Sequence, residues 1–267
     1  MDLEVILPAD AEALTPILIT SPNNCAGGAM LQRAFCTGEN SIGFGDNLFD
    51  EIMSLVDWSF SLVERHQNQK DWEAEAITKA LDRAPAPWMP ELALPLDVYT
   101  ASLMSVIYNL PFTLQSYASD LGREVWSISR AGIASSRMND LGTVLPNSKM
   151  IFVYRNPLDV VQDFLRDSPD ANVRDICDTW NTVMHDYLTY ASDRLLKLRY
   201  EDATDDVDKF LTSLQDFTGA KGIDPAVVAV ESESELGSDY TIGDDLKALV
   251  QRQCEDMLAV YYPELIA

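Results

Sequence analysis

Two periods of apolar residues run through this chain. Pro16–Thr20 (PILIT) and Lys149–Tyr154 (KMIFVY) are continuous apolar runs of strand length. Runs of this kind mark strands buried on both faces of a parallel sheet. Glu124–Ile128 and Leu195–Tyr200 are two further strand candidates. Elsewhere the apolar positions recur at helical spacing. Leu48, Ile52, Leu55, Val56, Phe60 and Val63 share one face of a helix predicted over Asp46–Glu64. Helices are also predicted over Ala29–Phe35, Val98–Ser119 (weakened at Pro111), Ala134–Leu145, Asp159–Leu165, Val173–Leu195, Val207–Phe217 and Ile242–Tyr262. Pro85, Pro87, Pro90 and Pro95 make the stretch Ala84–Pro95 a loop.

Strands alternating with helices predict an α/β fold, with a central parallel sheet joined by right-handed crossovers and flanked by helices. Ligands bind such sheets beyond the carboxyl ends of the strands. That rule gathers Ser21–Gly28, Ser129–Arg130 and Arg155–Asn156 around one crevice. The chain has no internal repeat, and its 267 residues suit a single domain, 1–267.

Composition narrows the functions. Apolar residues make up 47%, enough for a packed core. No apolar run approaches the ~18–20 residues that span a bilayer. Met1–Asp10 carries Asp2 and Glu4 and no basic segment, so a cytoplasmic location is expected rather than secretion. Cys25, Cys36, Cys177 and Cys254 include no C-x-x-C pair, which fits reduced thiols and no metal site. With 19 basic against 43 acidic residues, the net charge is −24. Such a chain offers no general positive field for nucleic acid or an anionic membrane. An anionic ligand would need a few basic residues concentrated at its site. The pattern sets no oligomeric state.

Gly27-Gly28, between the first strand and the Ala29 helix, could present backbone amides to a phosphate; the alternative is an ordinary tight turn. A nucleotide-kinase loop would need G-x-x-x-x-G-K-[ST], and no Lys stands here.

Three segments taken together resemble a known family. They are Cys25-Ala26-Gly27-Gly28-Ala29-Met30-Leu31 with Gly45-Asp46 downstream; Arg130 followed by Pro146-Asn147-Ser148-Lys149 and the strand ending at Arg155-Asn156-Pro157; and Trp180-Asn181 with Arg199-Tyr200-Glu201-Asp202 and Phe217-Thr218-Gly219. In this order and spacing, over roughly residues 17–220, they resemble the PAPS-dependent sulfotransferase superfamily, most of all its tyrosylprotein-sulfotransferase-like and bacterial branch. The resemblance implies a P-loop-type three-layer fold, PAPS as sulfuryl donor, PAP as product, a small-molecule hydroxyl acceptor and no metal. Residues 37–120 would form an acceptor-side helical insert. The −24 charge argues against an acidic protein acceptor, and so against tyrosine sulfation.

The resemblance also assigns roles. Cys25, Ala26, Gly27, Gly28, Ala29 and Met30 would cradle the 5′-phosphosulfate. The loop is degenerate, with Ala26 where the family has Arg and Ala29-Met30 where it has two Thr. Each lost charge-assisted hydrogen bond is worth ~1.5–3 kcal/mol. Arg155 would bind the 3′-phosphate, the alternative being an ion pair with Asp159. Asp163 stands where the family places a Ser on that same phosphate, and a carboxylate there repels a dianion. Tyr200 would lie near the adenosine.

Arg130 aligns with the catalytic Lys and could offset charge on the leaving oxygen; the alternative is simple pairing with an acidic residue. Asp46 takes the place of the general base, normally Glu; the alternative is a helix cap. His66 is expected on the surface, His185 in a structural role and Arg174 on a solvated helix face. Trp72, Trp88 and Tyr99 are expected in the core, or else lining an acceptor pocket. The functional expectation is sulfuryl transfer; the alternative is a sulfotransferase-like binding protein without turnover.

Overall fold

A computed structural model describes residues 11–67, 78–82, 94–228 and 241–266. Trp72, Trp88 and most of the proline-rich stretch lie outside them. Five strands form one sheet: β1 (Ile17–Ser21), β2 (Ser41–Phe44), β3 (Val125–Ala131), β4 (Lys149–Tyr154) and β5 (Leu195–Arg199). Their order is β2-β3-β1-β4-β5 and every pairing is parallel.

The helices follow as α1 (Gly28–Thr37), α2 (Asp46–Gln67), α3 (Leu96–Asp120), α4 (Ser135–Val144), α5 (Pro157–Asp167), α6 (Val173–Thr189), α7 (Tyr200–Asp205), α8 (Val207–Thr218), α9 (Asp244–Gln253) and α10 (Glu255–Tyr261). All five residues of β1 are buried, because the strand sits mid-sheet with helices over both faces. The alternation of side chains sorts the core into two layers. Leu18, Trp126, Ile128, Met150 and Phe152 face a large cluster with α2 to α6 and the C-terminal helices. Ile17, Ile19, Ile151 and Val153 face a smaller one with α1, α7 and α8.

The sequence pattern predicts four strands; the structure adds a fifth, the edge strand β2. Its four residues, Ser-Ile-Gly-Phe, are too short and mixed for a clear period. Gly43 is required there, since a Cβ would lie 2.7 Å from the Gln32 carbonyl oxygen of α1. α3 runs unbroken through Pro111, whose buried ring packs with the core. Packing thus outweighs one lost backbone hydrogen bond. The predicted helix Val173–Leu195 stops at Thr189, because Leu195–Arg199 is taken up in the ladder with β4. The predicted helix Ile242–Tyr262 divides at Cys254 into α9 and α10. Asn181 donates to the Gln253 carbonyl at 2.8 Å and so occupies one of α9's terminal acceptors.

His66 is not on the surface. It is only 6% exposed, its ring stacks on Tyr99 at 4.3 Å, and a ring nitrogen lies 2.7 Å from the Leu94 carbonyl oxygen. Tyr99 is half-buried, while His185 and Arg174 are exposed on α6.

Phe152 is fully buried and stacked on Tyr187 at 4.0 Å, bridging β4 and α6. Phe152→Ala should destabilise the fold by ~3–5 kcal/mol. Chemical denaturation checks this; a loss below ~1 kcal/mol would mean that the site collapses on itself.

Candidate active site

The parallel sheet brings the carboxyl ends of β1, β3 and β4 to one edge. β1 runs into a loop at Ser21–Gly27 and then into α1. Gly27 has φ +99°, the left-handed conformation, and a Cβ there would come within 2.8 Å of the Tyr200 ring and 3.0 Å of Val153. Both facts demand glycine. Ser21 Oγ donates to the Asn23 carbonyl at 2.8 Å, and the Asn23 carbonyl also accepts the Ala26 amide at 3.3 Å. The loop is therefore folded upon itself. The amides of Gly28, Ala29 and Met30, in the first turn of α1, have no partner within their own helix.

Above this turn lies a cavity of about 230 Å³, lined by Thr20, Ser21, Asn24, Gly28, Ala29, Gln32, Asp46, Ser129 and Arg130 among others. Thr20 Oγ1 is buried there without a hydrogen-bond partner among the described residues. Gln32 is fixed from two sides: it donates to the Phe44 carbonyl at 2.6 Å and accepts from Ser129 Oγ at 3.2 Å.

Arg130 and Asp46, 84 residues apart in sequence, meet at this cavity. Arg130 Nη1 lies 3.8 Å from Asp46 Oδ2, and Arg130 Nε lies 3.0 Å from Asp50 Oδ1. Neither contact uses Nη2. Asp46 is the first residue of α2, and its Oδ1 accepts the Asn47 amide at 3.0 Å. So each residue has its plainer role as well: Arg130 pairs with carboxylates, and Asp46 closes the start of its helix.

Across the loop, Arg155 follows β4. Its Nη1 lies 2.5 Å from Asp163 Oδ2 and donates to the Cys25 carbonyl at 3.3 Å. Its Nε is 3.9 Å from Asp159 Oδ2, and its guanidinium lies over the Tyr200 ring at 4.7 Å. Burial opposes the charge of Arg155, yet Asp163 and Asp159 outweigh it and raise its pKa. Asp163 Oδ1 is in turn 2.9 Å from Arg166 Nη1. Cys25, Arg155, Asp163 and Tyr200 therefore form one packed cluster against the loop. Burial, and then Asp163, pushes the Cys25 thiol up to about 11. Tyr200 is likewise raised, by burial first.

The corner carrying Arg155 is held from behind. Asn156 caps α5 by accepting the Asp159 amide at 3.0 Å, and Pro157 supplies the first helical position. Glu201 Oε1 accepts both the Asn156 amide at 2.8 Å and its Nδ2 at 2.9 Å. Glu201 Oε2 accepts from Tyr262 Oη at 3.1 Å. Arg199 pairs with Glu201 and Glu264, and its guanidinium lies over Tyr262 at 4.5 Å.

Sequence reasoning missed Asp50, Gln32 and Arg166. Helical spacing contains the signal for all three. Asp50 is one turn beyond Asp46, Gln32 one turn beyond Gly28, and Arg166 three residues beyond Asp163, so each pair shares a helix face.

The β1–α1 junction of an all-parallel sheet, faced by a carboxylate and an arginine, defines an α/β protein with a cavity at the carboxyl ends of its strands. The sulfotransferase family model matches residues 45–225, and the chain belongs to that family. Solved structures similar to it include the sulfotransferase domain of the olefin synthase from Synechococcus PCC 7002, at 17% identity and TM-score 0.46, covering 89% of this chain and 94% of that one. Sulfotransferase STF9 from Mycobacterium avium aligns at 11% identity and TM-score 0.48, covering 95% and 79%. Mouse sulfotransferase SULT7A1 in complex with PAP aligns at 10% identity and TM-score 0.47, covering 95% and 88%. No curated protein sequence matches the chain.

Among the described residues, no helix is long and apolar enough to cross a membrane, and no cluster of His, Cys, Asp and Glu could hold a metal ion.

With its pKa raised to about 11, Cys25 should be a poor nucleophile at pH 8. It should react with a disulfide probe at least ~10-fold more slowly than the exposed Cys36. Probe kinetics on Cys25→Ser and Cys36→Ser variants separate the two thiols. Equal rates would show that the Cys25 thiol is not held neutral.

Proposed function

We propose that this chain transfers a sulfuryl group from a nucleoside 5′-phosphosulfate to the hydroxyl of a small molecule. The observation that carries this is the meeting of Asp46 and Arg130, 3.8 Å apart, in a cavity floored by the first turn of α1.

The residues fit the 5′ end of such a donor. The free amides and dipole at the start of α1 favour an anion. Thr20 Oγ1, buried and unpartnered, offers a further donor. A bound phosphosulfate supplies an electrophilic sulfur and a phosphate leaving group. Arg130, through Nη2, offsets charge developing on the oxygen that leaves. Asp46, 59% exposed in its side chain, takes the proton of the attacking hydroxyl. Asp50 orients Arg130 by holding Nε. The chain acts as a single unit, with residues 37–120 supplying the acceptor side. α2 carries Asp46 and Asp50 to the cavity. A neighbouring open groove of about 430 Å³, lined by Asp50, Glu51, Ser54, Leu55 and Leu110, suits the acceptor's body.

Arg155 Nη1 is held by Asp163 at 2.5 Å, while its buried Nε makes no hydrogen bond among the described residues, so no step is assigned to a 3′-phosphate.

A second reading, binding without turnover, is favoured by the same internal pairing of Arg130 and by a loop with Ala26, Ala29 and Met30 in place of polar side chains.

Transfer of radiolabelled sulfate from phosphosulfate donors to a pool of small hydroxyl compounds distinguishes the two. Arg130→Ala should lower transfer ~10²–10³-fold. Asp46→Asn should lower it ~10²–10⁴-fold. Saturable nucleotide binding with no transfer to any acceptor would favour the second reading.

A further inference from the structure

We infer that Asp163 selects a nucleotide whose 3′ position is a free hydroxyl and excludes one that bears a 3′-phosphate. This deepens the reading above and rests on the nucleotide site proposed at the Cys25–Met30 loop.

The inference follows from charge and contact. Asp163 is only 16% exposed in its side chain and divides its two oxygens between two guanidiniums, Arg155 at 2.5 Å and Arg166 at 2.9 Å. Asp159 lies 3.9 Å from Arg155, and Asp167 lies 3.3 Å from Arg166. Asp163 and its direct partners number two arginines and three carboxylates, and Arg33 acts on Tyr200 with the opposite sign. A phosphate dianion placed against Asp163 would meet a carboxylate at close range. To take Arg155 Nη1 it would have to displace Asp163, which would then hold only Arg166.

A hydroxyl meets the opposite situation. The carboxylate is an acceptor with lone pairs beyond the two that the arginines engage, and a ribose hydroxyl is a donor. Dinucleotide-binding folds make the same choice: an acidic side chain takes the ribose hydroxyl, and an arginine takes the phosphate ester at that position.

The cluster also packs against the loop. Arg155 donates to the carbonyl of Cys25 in the loop at 3.3 Å, and its guanidinium rests on Tyr200. That same ring closes against Gly27, where an added Cβ would lie 2.8 Å from it. Asp163 is thus joined through Arg155 to the Cys25 carbonyl of the loop, on the side away from the lining of the Arg130 cavity.

The reaction that follows balances without further reactants. The donor is a nucleoside 5′-phosphosulfate with an unmodified ribose. The bond from sulfur to the phosphate oxygen breaks, and a bond from sulfur to the acceptor oxygen forms. The acceptor's proton passes to Asp46. The products are a sulfate ester and a nucleoside 5′-monophosphate.

The test is calorimetric titration of the full chain with 5′-AMP and with 3′,5′-ADP. Salt is kept at about 0.15 M, where charges more than ~8 Å apart are screened and the overall acidity of the protein matters less. The expected result is at least ~10-fold tighter binding of 5′-AMP. Asp163→Asn and Asp163→Ser should erase that preference and raise affinity for 3′,5′-ADP about tenfold, with circular dichroism melting confirming that each variant is folded. Three results would overturn the proposal. If 3′,5′-ADP binds the unmodified chain as tightly as 5′-AMP, or tighter, the selectivity is absent although the nucleotide site stands. If both folded variants keep the preference for 5′-AMP, Asp163 is not its source. If neither nucleotide binds at millimolar concentration, the nucleotide site fails along with the selectivity.

Discussion

Parallel pairing of β1 with β3 on one side and β4 on the other is the constraint on which the rest depends. It sends all three chain reversals to the same edge, so the loop after β1 has the Arg130 cavity on one side and Arg155, after β4, on the other. It also buries both faces of the central strands, which makes the crossover helices obligatory. Those helices bring further groups to that edge: α1 its amides, α2 Asp46 and Asp50, and α5 Asp163.

This edge is unusual in its charge rather than its shape. An α/β site for an anion ordinarily concentrates uncompensated positive charge. Here Arg130 meets Asp46 and Asp50, and Arg155 meets Asp159 and Asp163. In a chain of net charge −24 this internal matching keeps its few arginines oriented, and it lowers the field available to a ligand. The donors left without a side-chain counter-charge are the backbone amides at the start of α1.

Much of the architecture was legible in the residues. Continuous apolar runs identified β1 and β4, and helical spacing identified α2 and α8. The rest depended on information that no local pattern holds. β2 is a strand because Gly43 lets it approach α1 and because β3 lies beside it. His66 is buried because Tyr99, 33 positions away, stacks upon it. At the site, the family pattern pointed to Asp46, Arg130 and Arg155 and put Asp163 at the same phosphate as Arg155. That the two bind each other directly depends on the turn at Asn156-Pro157, which no local pattern specifies.

That turn has a consequence for how the protein can vary. Asn156 is held by Glu201, Glu201 by Tyr262, and Arg199 by both Glu201 and Glu264. The C-terminal segment, packed in the same core layer as α2 and α5, thus helps set the position of the corner that carries Arg155. Substitutions in that segment are not neutral drift on a remote surface. They reach Arg155 through Glu201 and Asn156 in the case of Tyr262, and through Arg199 as well in the case of Glu264, so the C-terminal segment and the Arg155 corner are constrained together.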